Sequence, residues 1–126
     1  MDNIKIEGTA KTPSVSFDRE KGELTIGGRS IPENSIDFYK PLLEWLDRYA
    51  LEPAPLTVVN MRLEYFNTSS SKCILDVFKK LESIKKSGKD ITVKWHYEED
   101  DEDMLEAGED YDAIIDIDFV MVESPV

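Results

Sequence analysis

Apolar and polar residues alternate cleanly through three stretches of the chain. Over 55–66, Val59, Met61, Leu63 and Tyr65 share one parity while Asn60, Arg62 and Glu64 take the other, the period of a strand buried on one face. Residues 91–97 repeat the pattern, with Ile91, Val93, Trp95 and Tyr97 set against Thr92, Lys94 and His96. A last strand near 115–122 places Ile115, Ile117, Phe119 and Met121 opposite Asp116 and Asp118. Shorter strands are read near 3–8, 14–17 and 23–27, the last two joined by a turn over Asp18, Arg19, Glu20, Lys21 and Gly22.

Helical spacing governs two further stretches. Around 40–50, Tyr39, Leu42, Leu43, Leu46 and Ala50 recur at one face, widened by Phe38, Trp45 and Tyr49. Pro41 is placed in the first turn, because an interior proline costs about 3 kcal/mol. Around 70–87, Ile74, Val77, Phe78, Leu81 and Ile84 form a second stripe, and Gly88 follows a lysine-rich last turn as a stop. A short helix is read over 101–107, closed by Gly108.

Parallel sheets covered on both faces read as continuous apolar runs, whereas these strands alternate, so helices should cover one face only. The expected architecture is a two-layer α/β sandwich with a mixed sheet, as one domain over 1–126. Its other face, carrying Asn60, Arg62, Glu64, Lys94 and His96, should meet water.

Charge sharpens this picture. The net charge is −12, and residues 95–126 hold 13 acidic side chains with no Lys or Arg. That argues against nucleic acid, whose phosphates need clustered cations. The single cysteine, Cys73, has no intramolecular partner, and the N-terminus lacks the basic and apolar regions of a secretory signal, so a reducing, cytoplasmic location is expected. No apolar run reaches the roughly 18 to 20 residues that span a bilayer.

The junction between strand 55–66 and the following helix packs four consecutive hydroxyls, Thr68, Ser69, Ser70 and Ser71, between Asn67 and Lys72. Capping explains one of them, because a side-chain oxygen there accepts from an unpaired N–H of the first turn. A phosphorylation site uses the same physics. Free N–H groups and the positive dipole end favour a phosphate, which adds about −1.5 to −2 of charge.

Other signals have plainer readings. His96, the sole histidine, is expected exposed on the polar face without an orienting partner for acid-base work. Cys73, beside Ile74, reads as a small buried hydrophobe. Gly27 and Gly28 lack the rest of a phosphate-binding loop and read as a turn or bulge. In the run Glu98–Asp103, an EF-hand register starting at Asp103 fails at Leu105 and Ala107, so neither a metal nor another cofactor is expected. That run is a solvated loop or a docking surface for a partner. Lys79, Lys80, Lys85, Lys86 and Lys89 suit a helix face and its C-terminus.

The segment LEYFNTSSSKCILDVFKKLE (63–82) resembles the signature of the SiaC family of bacterial regulatory phosphoproteins. The likeness extends to TPSVSFDREKGELTIGGRSIPENSIDFYKPLLEWL (12–46) and VKWHYEEDDEDMLEAGEDYD (93–112), nearly the whole chain. The resemblance implies an anti-anti-sigma (STAS-like) logic in a non-enzymatic protein. A dedicated Ser/Thr kinase would phosphorylate the threonine matching Thr68, and a PP2C-type phosphatase would reset it. The unphosphorylated form would bind and activate a diguanylate cyclase, with consequences for cyclic di-GMP signalling and biofilm formation. Asn67, Ser69, Ser70, Ser71 and Lys72 would form the contact surface for kinase and target. The competing expectation is a constitutive adaptor that binds through its acidic C-terminal region without covalent switching.

Overall fold

The computed structural model describes residues 2–125. Nine elements follow in order: β1 (Ile4–Ile6), β2 (Ser14–Asp18), β3 (Glu23–Ser30), α1 (Ser35–Tyr49), β4 (Leu56–Phe66), α2 (Thr68–Lys86), β5 (Asp90–Glu98), α3 (Glu102–Ile114) and β6 (Asp118–Ser124). One six-stranded sheet contains every strand in chain order. The pairs β1–β2 and β2–β3 are antiparallel, and those from β3 to β6 are parallel. Three crossovers step the same way along this mixed sheet, and with the right hand that such connections follow they put α1, α2 and α3 on one side of it.

Strand parity then decides what is buried. Val15, Phe17, Leu24, Ile26, Val59 and Met61 point under the helices and are almost fully enclosed. Toward β6 the core is aromatic: Phe78 lies 5.0 Å from Tyr111 and 5.5 Å from Phe119, ring centre to ring centre, around the fully buried Trp95. Edge-to-face geometry predominates there, as the ring quadrupoles favour.

Four expectations need correction. The first helix starts at Ser35, capped by the Asn34 side chain, which accepts from the Asp37 N–H at 3.1 Å, so Pro41 is interior and not in the first turn. It is tolerated on the exposed side, where water reaches the carbonyl its ring leaves unbonded. Strand β4 breaks its alternation: pairing runs Gly28 to Leu63 and then Arg29 to Tyr65, so an extra residue at Glu64 bulges out. Tyr65 is thereby turned from the core face to solvent, 51 % exposed, under the Arg29 guanidinium at 5.7 Å, and Phe66 takes the inward place. Gly108 does not close α3 but lies within it, against Trp95. Finally, β6 begins at Asp118, leaving Ile115 and Ile117 buried in the connection before it.

Candidate functional site

Strand β4 delivers the chain to the mouth of α2, where the four hydroxyls separate into different roles. Asn67 is the cap: its Oδ1 accepts from the Ser70 N–H at 2.9 Å, and its own N–H donates to the Ser30 carbonyl at 3.1 Å. Ser70 is 0 % exposed; its hydroxyl donates to the Ser30 carbonyl at 3.0 Å and accepts from Ser30 Oγ at 2.8 Å. Tyr39 Oη lies 2.7 Å from the same Ser30 Oγ. Burial pushes the Tyr39 phenol up to about 12, partly offset by that hydrogen bond.

The outer hydroxyls are held as well, with one exception. Ser69 Oγ donates to Asn67 Oδ1 at 3.2 Å and is paired with Ser35 Oγ, from the start of α1, at 2.7 Å. Ser71 Oγ is 3.1 Å from Tyr111 Oη, which donates to the Ser71 carbonyl at 2.8 Å and so ties α3 to α2. Thr68 is exposed, and its hydroxyl makes no hydrogen bond among the described residues. As the first helical residue it sits beside N–H groups of the first turn that have no intrahelical acceptor.

Electrostatics at this helix end differ from those at the other two. The first turn of α1 holds Asp37 and that of α3 holds Glu102 and Asp103, but the first turn of α2 holds no acid. Its dipole end therefore lacks the anion that normally complements it. Lys72, one turn on from Thr68 and exposed, adds a positive charge to the same face.

Beside Thr68 a groove of about 420 Å³ opens between α2 and α3, floored by Phe66, Leu75, Ala107 and Tyr111. Ile114, 63 % exposed, and Asp110 stand on its far wall. Of the expected contact residues, Asn67, Ser69, Ser71 and Lys72 surround Thr68 at the surface; Ser70 is a correction, since it is enclosed and works as an internal tie. Ser30, Ser35 and Tyr39 escaped the sequence reading, as did the α3 wall. No local signal links them to this junction, because the hydrogen bonds that tie Ser30, Ser35 and Tyr111 to it span 34 to 40 residues of sequence. Cys73 is buried, and burial raises its thiol, consistent with a packing role. His96 is half-buried rather than exposed, its Nε2 3.0 Å from Asn60 Oδ1 on the open sheet face. No helix among the described residues is long and apolar enough to cross a membrane.

A sequence model described as "SiaC family regulatory phosphoprotein" matches residues 6–124. An uncharacterized protein of Pseudomonas aeruginosa (strain UCBPP-PA14) is 32 % identical over 111 residues, 88 % of each chain. Among solved structures, SiaC of Pseudomonas aeruginosa superposes with a TM-score of 0.90 at 28 % identity, covering 98 % of this chain and 100 % of that one. A structure of the diguanylate cyclase SiaD in complex with its activator SiaC, from the same organism, also matches. Its TM-score is 0.90 at 29 % identity, covering 96 % of this chain and 99 % of the matched chain.

Proposed function

We propose that this chain, which belongs to the SiaC family of regulatory phosphoproteins, is a non-enzymatic switch governed by phosphorylation of Thr68. The unphosphorylated form binds and activates a diguanylate cyclase in the cytoplasm, a dedicated Ser/Thr kinase adds the phosphate, and a PP2C-type phosphatase removes it. The complex of SiaD with its activator SiaC supports the cyclase as partner. One observation carries the choice of residue: of four adjacent hydroxyls, only that of Thr68 is both exposed and free of hydrogen bonds among the described residues.

The sign of the switch follows from charge. A phosphate on Thr68 stands at the lip of the α2–α3 groove, and a partner seated there would have to desolvate a dianion, which costs far more than a neutral hydroxyl. Asn67, Ser69, Ser71 and Lys72 form the rim that kinase and cyclase share, and Ser70 supports it from within.

The test is a pull-down with the cyclase, comparing wild type, Thr68→Ala and protein phosphorylated on Thr68. The first two should bind and stimulate cyclase activity and the third should not. Capture by the phosphorylated form alone would reverse the switch. Phosphate mapped to Ser69 or Ser71 instead would move the site. A second reading, a constitutive acidic adaptor, rests on α3, whose Glu106, Glu109, Asp110 and Asp112 enter no ion pair among the described residues. Binding that ignores phosphorylation but fails when those residues become amides would favour it.

A further inference from the structure

Another concavity of the molecule lies away from Thr68, on the sheet face that no helix covers. Four adjacent parallel strands, β3 to β6, leave that face bare, although parallel sheets are ordinarily covered on both sides. A hollow of about 410 Å³ opens there at the carboxyl ends of β4, β5 and β6.

Its lining is chemically mixed. Arg29, Arg62 and His96 line it together with Tyr97 and the carboxylates of Glu64, Glu98 and Asp101. Among the described residues none of these ionisable side chains is in an ion pair; the four ion pairs found there lie elsewhere. Arg29 rests against the Tyr65 ring and the Ala10 carbonyl, and Asp101 caps α3, which leaves Arg62, Glu64 and Glu98 uncommitted. Opposite charges that share one hollow without an ion pair are matched by a ligand offering acceptors to the guanidinium and N–H donors to the carboxylates.

We propose that this hollow binds a guanine nucleotide, with cyclic di-GMP, the product of diguanylate cyclases, as its ligand. Guanine presents O6 and N7 as paired acceptors, which an arginine fork such as Arg62 reads bidentately. Its N1–H and N2–H groups donate to a carboxylate, here Glu98 or Glu64. Adenine offers an amino donor in place of O6 and would set it against the guanidinium. Inorganic phosphate can engage the arginines but offers no N–H donor to the glutamates. A cyclic dinucleotide seated there by one guanine would lay its second half over the bare sheet, where Lys94 is exposed. The guanine chemistry stands on the hollow itself, while the choice of the cyclic dinucleotide over GTP rests on the proposed cyclase partnership.

Calorimetric titration of the isolated full chain tests this without the cyclase, so a failed partnership and a failed nucleotide site give different results. Cyclic di-GMP is expected to bind with a dissociation constant below about 100 μM, with ATP at least about tenfold weaker. Arg62→Lys, which keeps the charge and loses the fork, and Glu98→Gln should each weaken binding about tenfold or more, while Thr68→Ala leaves it unchanged. Both altered side chains are exposed, and thermal melts check that the variants remain folded. Tighter binding of GTP than of cyclic di-GMP would retain the guanine site and assign it to the cyclase substrate. Absence of binding up to about 1 mM, equal affinity for ATP or phosphate, or indifference to both substitutions would each overturn the proposal.

Discussion

Replacing Gly108 by alanine isolates the contact that seats α3 on the sheet. In an exposed helix interior the change gains about 1 kcal/mol of helix propensity. Here the added Cβ would lie 2.4 Å from Trp95 Cδ1, 2.7 Å from Nε1 and 2.8 Å from Cγ, inside any real carbon contact. The indole cannot yield easily: Trp95 is 0 % exposed, and its Nε1 donates to the Met104 carbonyl at 2.9 Å. Overpacking of this kind costs about 1–3 kcal/mol, and losing the indole hydrogen bond adds about 1 kcal/mol. Offset against propensity, a net destabilisation of about 1–3 kcal/mol is expected from urea melts followed by circular dichroism. Because the groove beside Thr68 is lined by Ala107, Asp110, Tyr111 and Ile114 of the same helix, cyclase binding should weaken in parallel. Combining it with Trp95→Phe separates this cause from a general effect on α3. The double variant should lose less than the sum of the singles, with a coupling above about 0.5 kcal/mol. A Gly108→Ala protein as stable as wild type, or strict additivity, would refute the reasoning.

Two further outcomes follow from the same structure. Asn67→Ala removes the cap of α2 and should cost about 0.5–2 kcal/mol in denaturant melts, whereas Thr68→Ala, at an exposed and unbonded position, should stay within about 0.5 kcal/mol. Burial first, then the charges of Arg62 and Lys94, hold the His96 imidazole below its usual 6.5. The unfolded chain therefore takes up this proton before the folded one, so stability should fall as pH drops through 6.5 and below, and His96→Gln should flatten that part of the curve. A steeper loss on acidification in the variant would contradict the assignment.

Much of this fold was legible because one-sided burial leaves a period of two in the strands and near four in the helices. Val59, Met61, Ile91 and Val93 announce their faces without help from the rest of the chain. Misreadings arose where a tertiary contact overrides a local rule. Gly108 resembles a helix stop, but it is glycine because an indole occupies the space of its side chain. Tyr65 keeps the core parity in sequence and loses it to a bulge that exists only opposite Gly28 and Arg29. At the site, the hydroxyl run and its place at a helix mouth were visible, and the resemblance singled out Thr68. That Ser69, Ser70 and Ser71 are engaged was not, since their partners Ser30, Ser35 and Tyr111 arrive through the sheet order and the α2–α3 packing.

The agreement between strand order and chain order has a consequence for motion. Every strand pairs with its neighbour in sequence, so each unit can detach from the growing edge without unthreading the others. The unit at the far edge is α3 with β6; it is held by β5 alone within the sheet, and its helix carries six carboxylates and no cation, with none in its last turn to answer the dipole. Hydrogen exchange should find it opening sub-globally, ahead of β3 and β4 at the centre. One wall of the groove beside Thr68 would then come and go on its own timescale, so that a partner meets the protein both with the groove formed and with it undone.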